Sequence, residues 1–472
     1  MGAGESPKEA CGLIGVWAPG EEVSRMIYFG LFALQHRGQE SAGMAVSDGS
    51  NILVFKDLGL VSQVFNEGTL ATLQGDLGIG HTRYSTTGST TWENAQPAFK
   101  TDGTSAAIAL GHNGNLVNTR QLADAEGWRS KATTDSDLVA SMLARYGDGD
   151  LEQACMTVFP RLQGAFSFVA MNERTVFAAR DPHGLRPLAI GRLPNGWCFA
   201  SETCALDIVG ATYLREVEPG ELVMVDEDGL RSRRFAESPR KALCLFEFVY
   251  LARPDSQLLD RSVHESRREM GRALAGEAPV QADLVIPVPD TATAAAAGFA
   301  EASGIPYGEA LTKNRYVGRT FIQPSQSLRE RGVKLKLNPI PGAVRGKRIV
   351  VVDDSIVRGT TTRQIVQTLR EAGAIEVHMR ITSPPIKWPC FYGIDMSTRQ
   401  ELVASDLSVD EVRQFIGADS LSYLSLDELV ATTGRPKGDF CRACFDGEYA
   451  IPIPEDTPTK LLLEKSFYVE NA

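Results

Sequence analysis

The sequence lacks any apolar run approaching the roughly 20 residues that a membrane-spanning helix needs. Its first ten residues also lack the charged and then apolar pattern of a secretory signal, so we expect a cytoplasmic protein without a membrane partner. Basic residues are fewer than acidic ones: 48 lysines and arginines against 59 aspartates and glutamates give a net charge of −11. That balance argues against a nucleic-acid-binding protein.

Cysteine is scarce, with eight residues in a chain of 472. A long chain without an export signal is not expected to use them as a disulfide framework, which leaves metal ligation, nucleophilic catalysis or burial. Cys441 and Cys444 form a C-x-x-C pair, which alone fits a redox pair, half of a metal site or chance. The others are Cys11, Cys155, Cys198, Cys204, Cys244 and Cys390.

Two patterns divide the chain, whose length suggests two or more domains. From about Gly12 to Val225, short strand-like runs such as Ala165–Met171 are separated by turns, among them the hairpin signal Asn195-Gly196, whose type I′ form needs positive φ. We expect two packed antiparallel sheets there. After about residue 275, short apolar strands alternate with helices, as in Arg348–Val352 and then Thr360–Gly373. This alternation predicts a parallel sheet covered by helices on both faces.

The strongest single signal is the run VVVDDSIVRGTT at residues 350–361. An apolar strand ends in Asp353 and Asp354, and a turn rich in hydroxyl side chains then opens a helix. The N-terminus of a helix offers unpaired N–H groups to a phosphate monoester, and paired carboxylates suit ribose hydroxyls or a hydrated Mg²⁺. The candidate phosphate contacts are Ser355, Arg358, Gly359, Thr360 and Thr361.

This run is neither a Walker loop nor a dinucleotide-binding fingerprint. In residue order it resembles the signature loop of the phosphoribosyltransferases. The resemblance implies a diphosphate-binding loop after the strand at 283–288. Asp290 would bind the substrate there, and Thr291 would lie near the magnesium ion. It also identifies the basic stretch Lys313–Lys336, otherwise a plain solvated loop, as a mobile lid in which Lys313 contacts the substrate. A lid of this kind neutralises leaving diphosphate and excludes water.

Cys11 lies at the head of a small-residue strand, which alone fits a buried core thiol. Three further segments are LQHRGQES at 34–41, GHTRYST at 80–86 and GHNGN at 111–115. Together they resemble the glutaminase domain of the N-terminal-nucleophile amidotransferases, which implies a four-layer αββα sandwich. With the phosphate loop, the resemblance extends over essentially the whole chain to the glutamine phosphoribosylpyrophosphate amidotransferase family, whose second domain is a doubly wound parallel sheet.

The resemblance makes Cys11 the nucleophile that attacks glutamine. Removal of residues 1–10 as a propeptide gives Cys11 a free α-amine, whose pKa of about 8 suits a general base. No Cys–His pair is then required, so we expect structural roles for His36, His81 and His112. A papain-like Cys–His enzyme is the alternative, but it leaves the N-terminal position of the cysteine unexplained.

The same resemblance assigns the groups around glutamine. The Asn113 side chain and the Gly114 N–H would hold the oxyanion of the tetrahedral intermediate. Arg83 would bind the α-carboxylate, for which a fork-shaped guanidinium is the fitting partner. Asp135, or less favourably Asp137, would bind the α-ammonium.

Four cysteines remain as candidate metal ligands: Cys244, Cys390, Cys441 and Cys444. Four thiolates suit either Zn²⁺ or a [4Fe–4S] cluster, and composition does not separate these options. The resemblance favours the [4Fe–4S] cluster over Zn²⁺, because one branch of the family carries both such a cluster and a propeptide. We therefore expect a structural iron–sulfur cluster that joins the interdomain linker, residues 232–241, to the C-terminal tail.

We thus predict a propeptide at 1–10, a glutaminase domain at 11–235 and a phosphoribosyltransferase domain at 236–472. Ammonia from glutamine would displace diphosphate at C1 of phosphoribosyl diphosphate and give 5-phosphoribosylamine, the opening step of purine synthesis. Family resemblance also implies a homo-oligomer, dimer or tetramer, inhibited by purine nucleotides. The rivals are an amidotransferase making glucosamine 6-phosphate, which would lack the phosphate loop, and a non-catalytic phosphoribosyl-binding regulator, in which the glutaminase residues would be idle.

Overall fold

The computed structural model describes residues 11–84, 89–101, 107–147, 150–314, 337–396 and 399–454. The predicted propeptide and nearly all of the predicted lid lie outside the described residues. No helix in these ranges combines the length and apolar character needed to cross a membrane.

The described residues of the N-terminal half form thirteen strands. They are β1 (Gly12–Trp17), β2 (Ser41–Ser47), β3 (Ile52–Leu58), β4 (Leu77–Arg83), β5 (Ala98–Thr101), β6 (Ala107–Leu116), β7 (Gly164–Met171), β8 (Val176–Arg180), β9 (Ala189–Leu193), β10 (Gly196–Ala200), β11 (Thr212–Glu216), β12 (Glu221–Asp226) and β13 (Gly229–Arg234). Within these ranges the strands build two antiparallel sheets, in the orders β11-β9-β10-β1-β4-β2-β3 and β13-β12-β8-β7-β6-β5.

The helices of this half cover the outer faces of the two sheets. They are α1 (Val23–Ala33), α2 (Val61–Val64), α3 (Glu67–Thr72), α4 (Thr119–Glu126), α5 (Asp135–Tyr146), α6 (Leu151–Val158) and α7 (Thr203–Ile208), with a 3₁₀ turn at Phe159–Arg161. Alternation along β1 explains the layering. Ile14 and Val16 pack under α1, whereas Leu13 faces the second sheet and joins Val169 and Phe199 in the layer between the sheets. The predicted αββα sandwich is confirmed.

The described residues of the C-terminal half contain the strands β14 (Leu243–Cys244), β15 (Gln257–Leu258), β16 (Arg261–Ser262), β17 (Leu284–Pro287), β18 (Leu311–Lys313), β19 (Leu337–Pro339), β20 (Arg348–Asp353), β21 (Glu376–Ile381), β22 (Ser420–Tyr423) and β23 (Phe440–Cys441). The helices are α8 (Val263–Glu277), α9 (Thr293–Ser303), α10 (Pro341–Val344), α11 (Thr360–Glu371), α12 (Val403–Asp406), α13 (Val409–Ile416), α14 (Leu426–Ala431) and α15 (Ala443–Asp446). A π-helical turn spans Glu247–Leu251, and 3₁₀ turns span Arg399–Glu401 and Lys437–Asp439.

The centre of this half is a parallel sheet in the order β17-β20-β21-β22. Successive residues of β20 serve opposite faces: Val350 and Val352 pack in the core with α8 and α9, whereas Ile349 and Val351 pack with α11 and α13. Because both faces are buried, the strand is continuously apolar. The predicted doubly wound α/β domain is confirmed.

The two halves meet around a short parallel pair in which Cys244 of β14 lies opposite Cys441 of β23. The second sheet of the sandwich ends with β13 at Arg234, and the next strand begins at Leu243. The domain boundary at 235/236 stays a prediction.

Candidate functional site

Cys11 lies directly before β1, in the middle of the first sheet. Its Sγ donates to the carbonyl oxygen of Tyr84 at 3.4 Å, and only 6% of the residue is exposed. The next strand positions are fixed by pairing of Gly12 with Thr82 and by donation from the Leu13 N–H to Ser201 Oγ at 3.0 Å. Burial raises the pKa of the Cys11 thiol to about 11. The thiol is therefore protonated at neutral pH and needs a base before it can attack.

Arg83 and Asp135 place opposite charges beside this thiol. Arg83 ends β4, is buried, and lies 3.7 Å from a carboxylate oxygen of Glu40. Asp135 is the first residue of α5, where it accepts from the backbone N–H groups of Leu116 at 3.0 Å and Ser136 at 2.8 Å. Burial acts to raise the pKa of Asp135, but the nearby His112 and these hydrogen bonds outweigh it, so the pKa falls below its ordinary value. Asp135 is therefore ionised at neutral pH. Asp137 instead forms an ion pair with Lys100 at 2.9 Å.

Asn113 is buried on β6 without a hydrogen-bond partner. Its side chain is fully buried, and neither Nδ2 nor Oδ1 has a partner among the described residues. Strand β6 faces β4 here, since His81 Nε2 lies 3.1 Å from the carbonyl oxygen of His112. A fully buried amide with no partner is rare and calls for a ligand or a strain explanation.

Gly114, the next residue, has a φ of +148°. A Cβ on it would lie 2.0 Å from the carbonyl oxygen of Ala165 on β7, so only glycine fits. Asn113 and Gly114 are consecutive residues of β6, and their role as an oxyanion site stays a prediction.

The three histidines of these motifs make contacts other than with Cys11. His36 lies 2.7 Å from Glu202, and His112 lies 3.2 Å from Ser136 Oγ and 3.3 Å from the carbonyl oxygen of Ala165. Within the described part of the chain, the hydrogen bond of the Cys11 thiol goes to a backbone carbonyl rather than to an imidazole. Among the residues that the structure describes, Cys11 therefore has no histidine partner.

The phosphate loop lies at the carboxyl end of β20, and α11 begins after it. Gly359, with a φ of +75°, caps the N-terminus of that helix. Asp354 accepts from the Ser355 hydroxyl at 2.6 Å and from the Thr291 hydroxyl, while its N–H donates to Asp353 at 2.9 Å. Thus Thr291 and the acidic pair, predicted from separate segments, form one cluster.

The acidic pair is electrostatically strained. Burial, and for Asp353 also the neighbouring charge of Asp354, raises the pKa of both carboxyls. Two adjacent carboxylates, Asp354 buried and Asp353 half-buried, suit a cation or hydroxyl donors that offset their charge.

The other predicted phosphate contacts lie around this cluster. Lys313 forms an ion pair with Asp290 at 2.5 Å, and Arg358 forms one with Glu401 at 2.7 Å. Thr360 Oγ1 is buried without a hydrogen-bond partner among the described residues. Ser355 lies in the loop before α11, and Thr361 lies in the first turn of that helix.

The four predicted ligand cysteines, Cys244, Cys390, Cys441 and Cys444, line one pocket together with Arg186 and Tyr392. Burial raises the pKa of the Cys441 thiol to about 12 and also raises the pKa of Cys244 and Cys444. Among the described residues, no three or more His, Cys, Asp or Glu side chains are arranged to hold a single metal ion. Three further thiols, Cys155, Cys198 and Cys204, are buried elsewhere.

Sequence reasoning missed a buried ion network between the two halves. Arg37 contacts Glu202 and Glu247, and Arg186 lies 3.4 Å from Glu247. All four side chains are almost completely buried. Burial acts against the charge of Arg37, but the two glutamates outweigh it and raise its pKa. Neither glutamate lies in a recognisable motif, so no local pattern pointed to them.

A cysteine at the head of a strand in an αββα sandwich, followed by a phosphate loop on a parallel sheet, defines a two-domain amidotransferase of the N-terminal-nucleophile class. Residues 81–207 match the family model described as "Glutamine amidotransferase domain". The chain is 57% identical over 466 residues to the amidophosphoribosyltransferase of Mycobacterium tuberculosis, covering 96% of this chain and 88% of the relative. It is 49% identical over 456 residues to that of Bacillus subtilis, covering 95% and 96%.

A solved structure of glutamine phosphoribosylpyrophosphate amidotransferase from B. subtilis, complexed with ADP and GMP, matches with a TM-score of 0.90 at 48% identity. The match covers 95% of this chain and 99% of that one. The chain belongs to the amidophosphoribosyltransferase family. The predicted family, fold class and activity are thereby confirmed: it is a glutamine-dependent transferase of purine biosynthesis.

Proposed function

We propose that this chain hydrolyses glutamine at Cys11 through a thioester and passes the ammonia internally to C1 of phosphoribosyl diphosphate. Diphosphate leaves, and 5-phosphoribosylamine and glutamate are the other products. The observation that carries the glutaminase half is the unpaired, fully buried amide of Asn113 on the strand that faces the cysteine-bearing sheet. An oxyanion accepting from Asn113 Nδ2 and from the Gly114 N–H explains why that amide is left without a protein partner.

The base for this reaction is the α-amine of Cys11, freed by removal of residues 1–10. Burial holds the pKa of the thiol at about 11, so some group has to accept its proton near neutral pH. No imidazole forms a hydrogen bond to the thiol within the described residues, whereas an α-amine has a pKa of about 8 and belongs to the same residue. The nucleophile and its base are then held close to each other by the covalent structure of one residue.

Two buried charges define how glutamine is held. The guanidinium of Arg83 binds the α-carboxylate, and the ionised carboxylate of Asp135 binds the α-ammonium. Arg83 lowers and Asp135 raises the pKa of the Cys11 thiol, so both charges lie close enough to the nucleophile to act on it. Asp137 is the weaker choice because Lys100 already neutralises it.

We expect Asn113→Ala to lower kcat for glutamine hydrolysis by about 10²–10³-fold, the usual effect of losing one oxyanion donor. The KM for glutamine should change little, because Asn113 acts on charge that develops in the transition state. The ammonia-dependent synthesis should stay within about twofold of wild type. Steady-state assays with each nitrogen source measure all three quantities, and an unchanged kcat with glutamine would contradict the oxyanion role.

At the second site, Asp353, Asp354 and Thr291 would hold Mg²⁺ or its water ligands, and the metal would neutralise the diphosphate as it leaves. The carboxylates also suit the ribose hydroxyls. The turn from Ser355 to Thr361 would bind the 5-phosphate at the N-terminus of α11, where the buried and unpaired Thr360 Oγ1 supports an anion site. Asp290 and Lys313, which form an ion pair with each other, would contact the substrate on its diphosphate side.

For the four cysteines we propose a [4Fe–4S] cluster. One Zn²⁺ would draw the sulfurs to about 3.8 Å from each other, given a Zn–S bond of about 2.3 Å. A cubane instead binds each of four cysteines through a different iron, which fits four thiols that line one pocket. The cluster would stabilise the contact between Cys244, at the linker, and Cys441–Cys444, in the tail.

We expect Cys244→Ser to lose most of the bound iron and the visible absorbance of the purified protein, and to lower its melting temperature. Cys204→Ser is the control, since that thiol is buried but does not line the pocket of the four cysteines. Iron and zinc contents by elemental analysis measure the result. Stoichiometric zinc in the wild-type protein, or unchanged iron in Cys244→Ser, would contradict the proposal.

One solved relative bears on the regulation of this chain. The B. subtilis enzyme was solved with ADP and GMP, which supports purine nucleotides as feedback inhibitors of this chain. We also propose that the enzyme is cytoplasmic and forms a homo-oligomer, a dimer or a tetramer.

A further inference from the structure

A loop of the C-terminal half, Cys390–Gly393, lies directly against the oxyanion strand of the N-terminal half. The carbonyl oxygen of Phe391 accepts from Asn115 Nδ2 at 3.0 Å. At Gly393 the two backbones approach so closely that a Cβ would lie 2.9 Å from the carbonyl carbon of Gly114 and 3.0 Å from its Cα and its oxygen. A real Cβ does not tolerate such distances to backbone atoms, so this contact exists only because residue 393 is glycine.

The loop is held rigidly where it makes this contact. Both Nε and Nη2 of Arg186 donate to the carbonyl oxygen of Tyr392, at 3.1 Å and 2.9 Å. The Tyr392 hydroxyl donates to the carbonyl oxygen of Ile451 at 2.6 Å, and the Ile451 N–H donates back at 2.9 Å. Arg186 belongs to the N-terminal half and is itself paired with Glu247. Consecutive carbonyls of the loop are thus tied to the domain that carries the glutaminase residues.

Gly114 is enclosed on the other side as well. The space where its side chain would lie is filled by the backbone of Ala165, at 2.0 Å from the carbonyl oxygen. Because the backbones of Ala165 and Gly393 both approach Gly114 closely, its own backbone has little room to shift. Oxyanion donors work by being fixed before the charge develops, and a misplacement of about 1 Å costs on the order of 10²-fold in rate.

We propose that Gly393 is a positioning residue for glutamine hydrolysis, and that the loop Cys390–Gly393 completes the glutaminase site by pressing on Gly114. This inference rests on the proposed oxyanion role of Gly114. It means that the glutaminase chemistry of one domain depends on a backbone contact supplied by the other.

We expect Gly393→Ala to lower kcat with glutamine by roughly 10- to 100-fold, because the added methyl group displaces Gly114. The KM for glutamine should change by less than about threefold, and the ammonia-dependent rate should be retained. The matched control is Gly373→Ala. Gly373 has nearly the same φ, +99° against +104°, but its Cβ would meet the Arg345 side chain at 3.2 Å. The control therefore carries the same backbone strain without touching the oxyanion strand.

Three outcomes would each overturn the proposal. Gly393→Ala could lose the glutamine and ammonia reactions equally, or it could fold and keep an unchanged kcat with glutamine. Gly373→Ala could also show a similar loss of the glutamine reaction with the ammonia reaction retained. If Gly393→Ala does not fold, Asn115→Ala decides. It removes the hydrogen bond to Phe391 without backbone strain, and it should lower kcat with glutamine about three- to tenfold at unchanged KM. Asn113→Ala separates the two hypotheses. If Asn113→Ala lowers kcat and the loop variants do not, only the positioning role fails.

Discussion

The double variant Asp353→Asn, Asp354→Asn should lose synthesis of phosphoribosylamine with both glutamine and ammonia, by at least about 10³-fold. The two carboxylates belong to the phosphoribosyl site, which both nitrogen sources share, and losing a metal-side ligand pair removes several kcal/mol of transition-state stabilisation. Initial rates with each nitrogen source at saturating Mg²⁺ measure the effect. Direct binding of phosphoribosyl diphosphate should weaken in parallel.

Stability provides a second readout for this variant. Because the pKa of each carboxyl is raised in the folded protein, ionisation of the pair destabilises the fold as pH rises through those raised values. Neutral amides remove this effect, so the ligand-free variant should melt at the same temperature as wild type or higher at neutral pH. Asp283→Asn is the control. The Asp283 carboxylate pairs with Arg348, the first residue of β20, whereas Asp353 is the last residue of that strand. Retained synthesis in the double variant would rule out the proposed role of the acidic pair.

The sequence predicted the phosphate half closely because its signals are local. The apolar run placed the strand at 348–352 and the hydroxyl-rich turn placed the helix at 360–373, against observed bounds of Arg348–Asp353 and Thr360–Glu371. The helix shows the expected spacing, with Thr362, Ile365, Val366 and Leu369 buried. The αββα fold, in contrast, came from the resemblance, because alternating strands alone do not specify how two sheets are covered.

One local prediction was right about the hairpin, which β9 and β10 form, and wrong about its turn. Asn195-Gly196 was expected to form the centre of a type I′ turn, but Gly196 is the first residue of β10 and pairs with Leu193, so Pro194 and Asn195 form the loop. Neither Asn195 nor Gly196 has a positive φ. A Cβ on Gly196 would lie 2.0 Å from the carbonyl oxygen of Trp17. The glycine serves a close backbone approach across the sheet, which a turn rule does not detect.

The contacts between the two halves were not predictable from local signals. Glu202 and Glu247 are 165 and 210 residues away from Arg37, and Gly393 meets a strand more than 270 residues earlier. Each is a single residue in a segment without a motif. Only the folded chain reveals that these residues bring the glutaminase and phosphoribosyltransferase halves together.

The variant Cys11→Ala should abolish the glutamine-dependent reaction and leave the ammonia-dependent one within about twofold of wild type. Without the thiol no thioester forms, and loss of a nucleophile commonly costs 10⁴-fold or more. The fold should persist, because the Cys11 thiol makes a single hydrogen bond to a backbone carbonyl and alanine retains the Cβ. Cys198→Ala is the matched control: this thiol is buried on the neighbouring strand β10, opposite Val16 of β1, and should be dispensable for both reactions.

The measurement that decides between one site and two is the pair of initial rates, with glutamine and with ammonium, on one preparation of Cys11→Ala. Melting temperature and iron content equal to wild type establish that the preparation is folded. We predict no phosphoribosylamine from glutamine and a near-normal rate from ammonium. Loss of both reactions in the folded variant, or a retained reaction with glutamine, would contradict the assignment of glutamine hydrolysis to Cys11 and of phosphoribosyl transfer to a separate site.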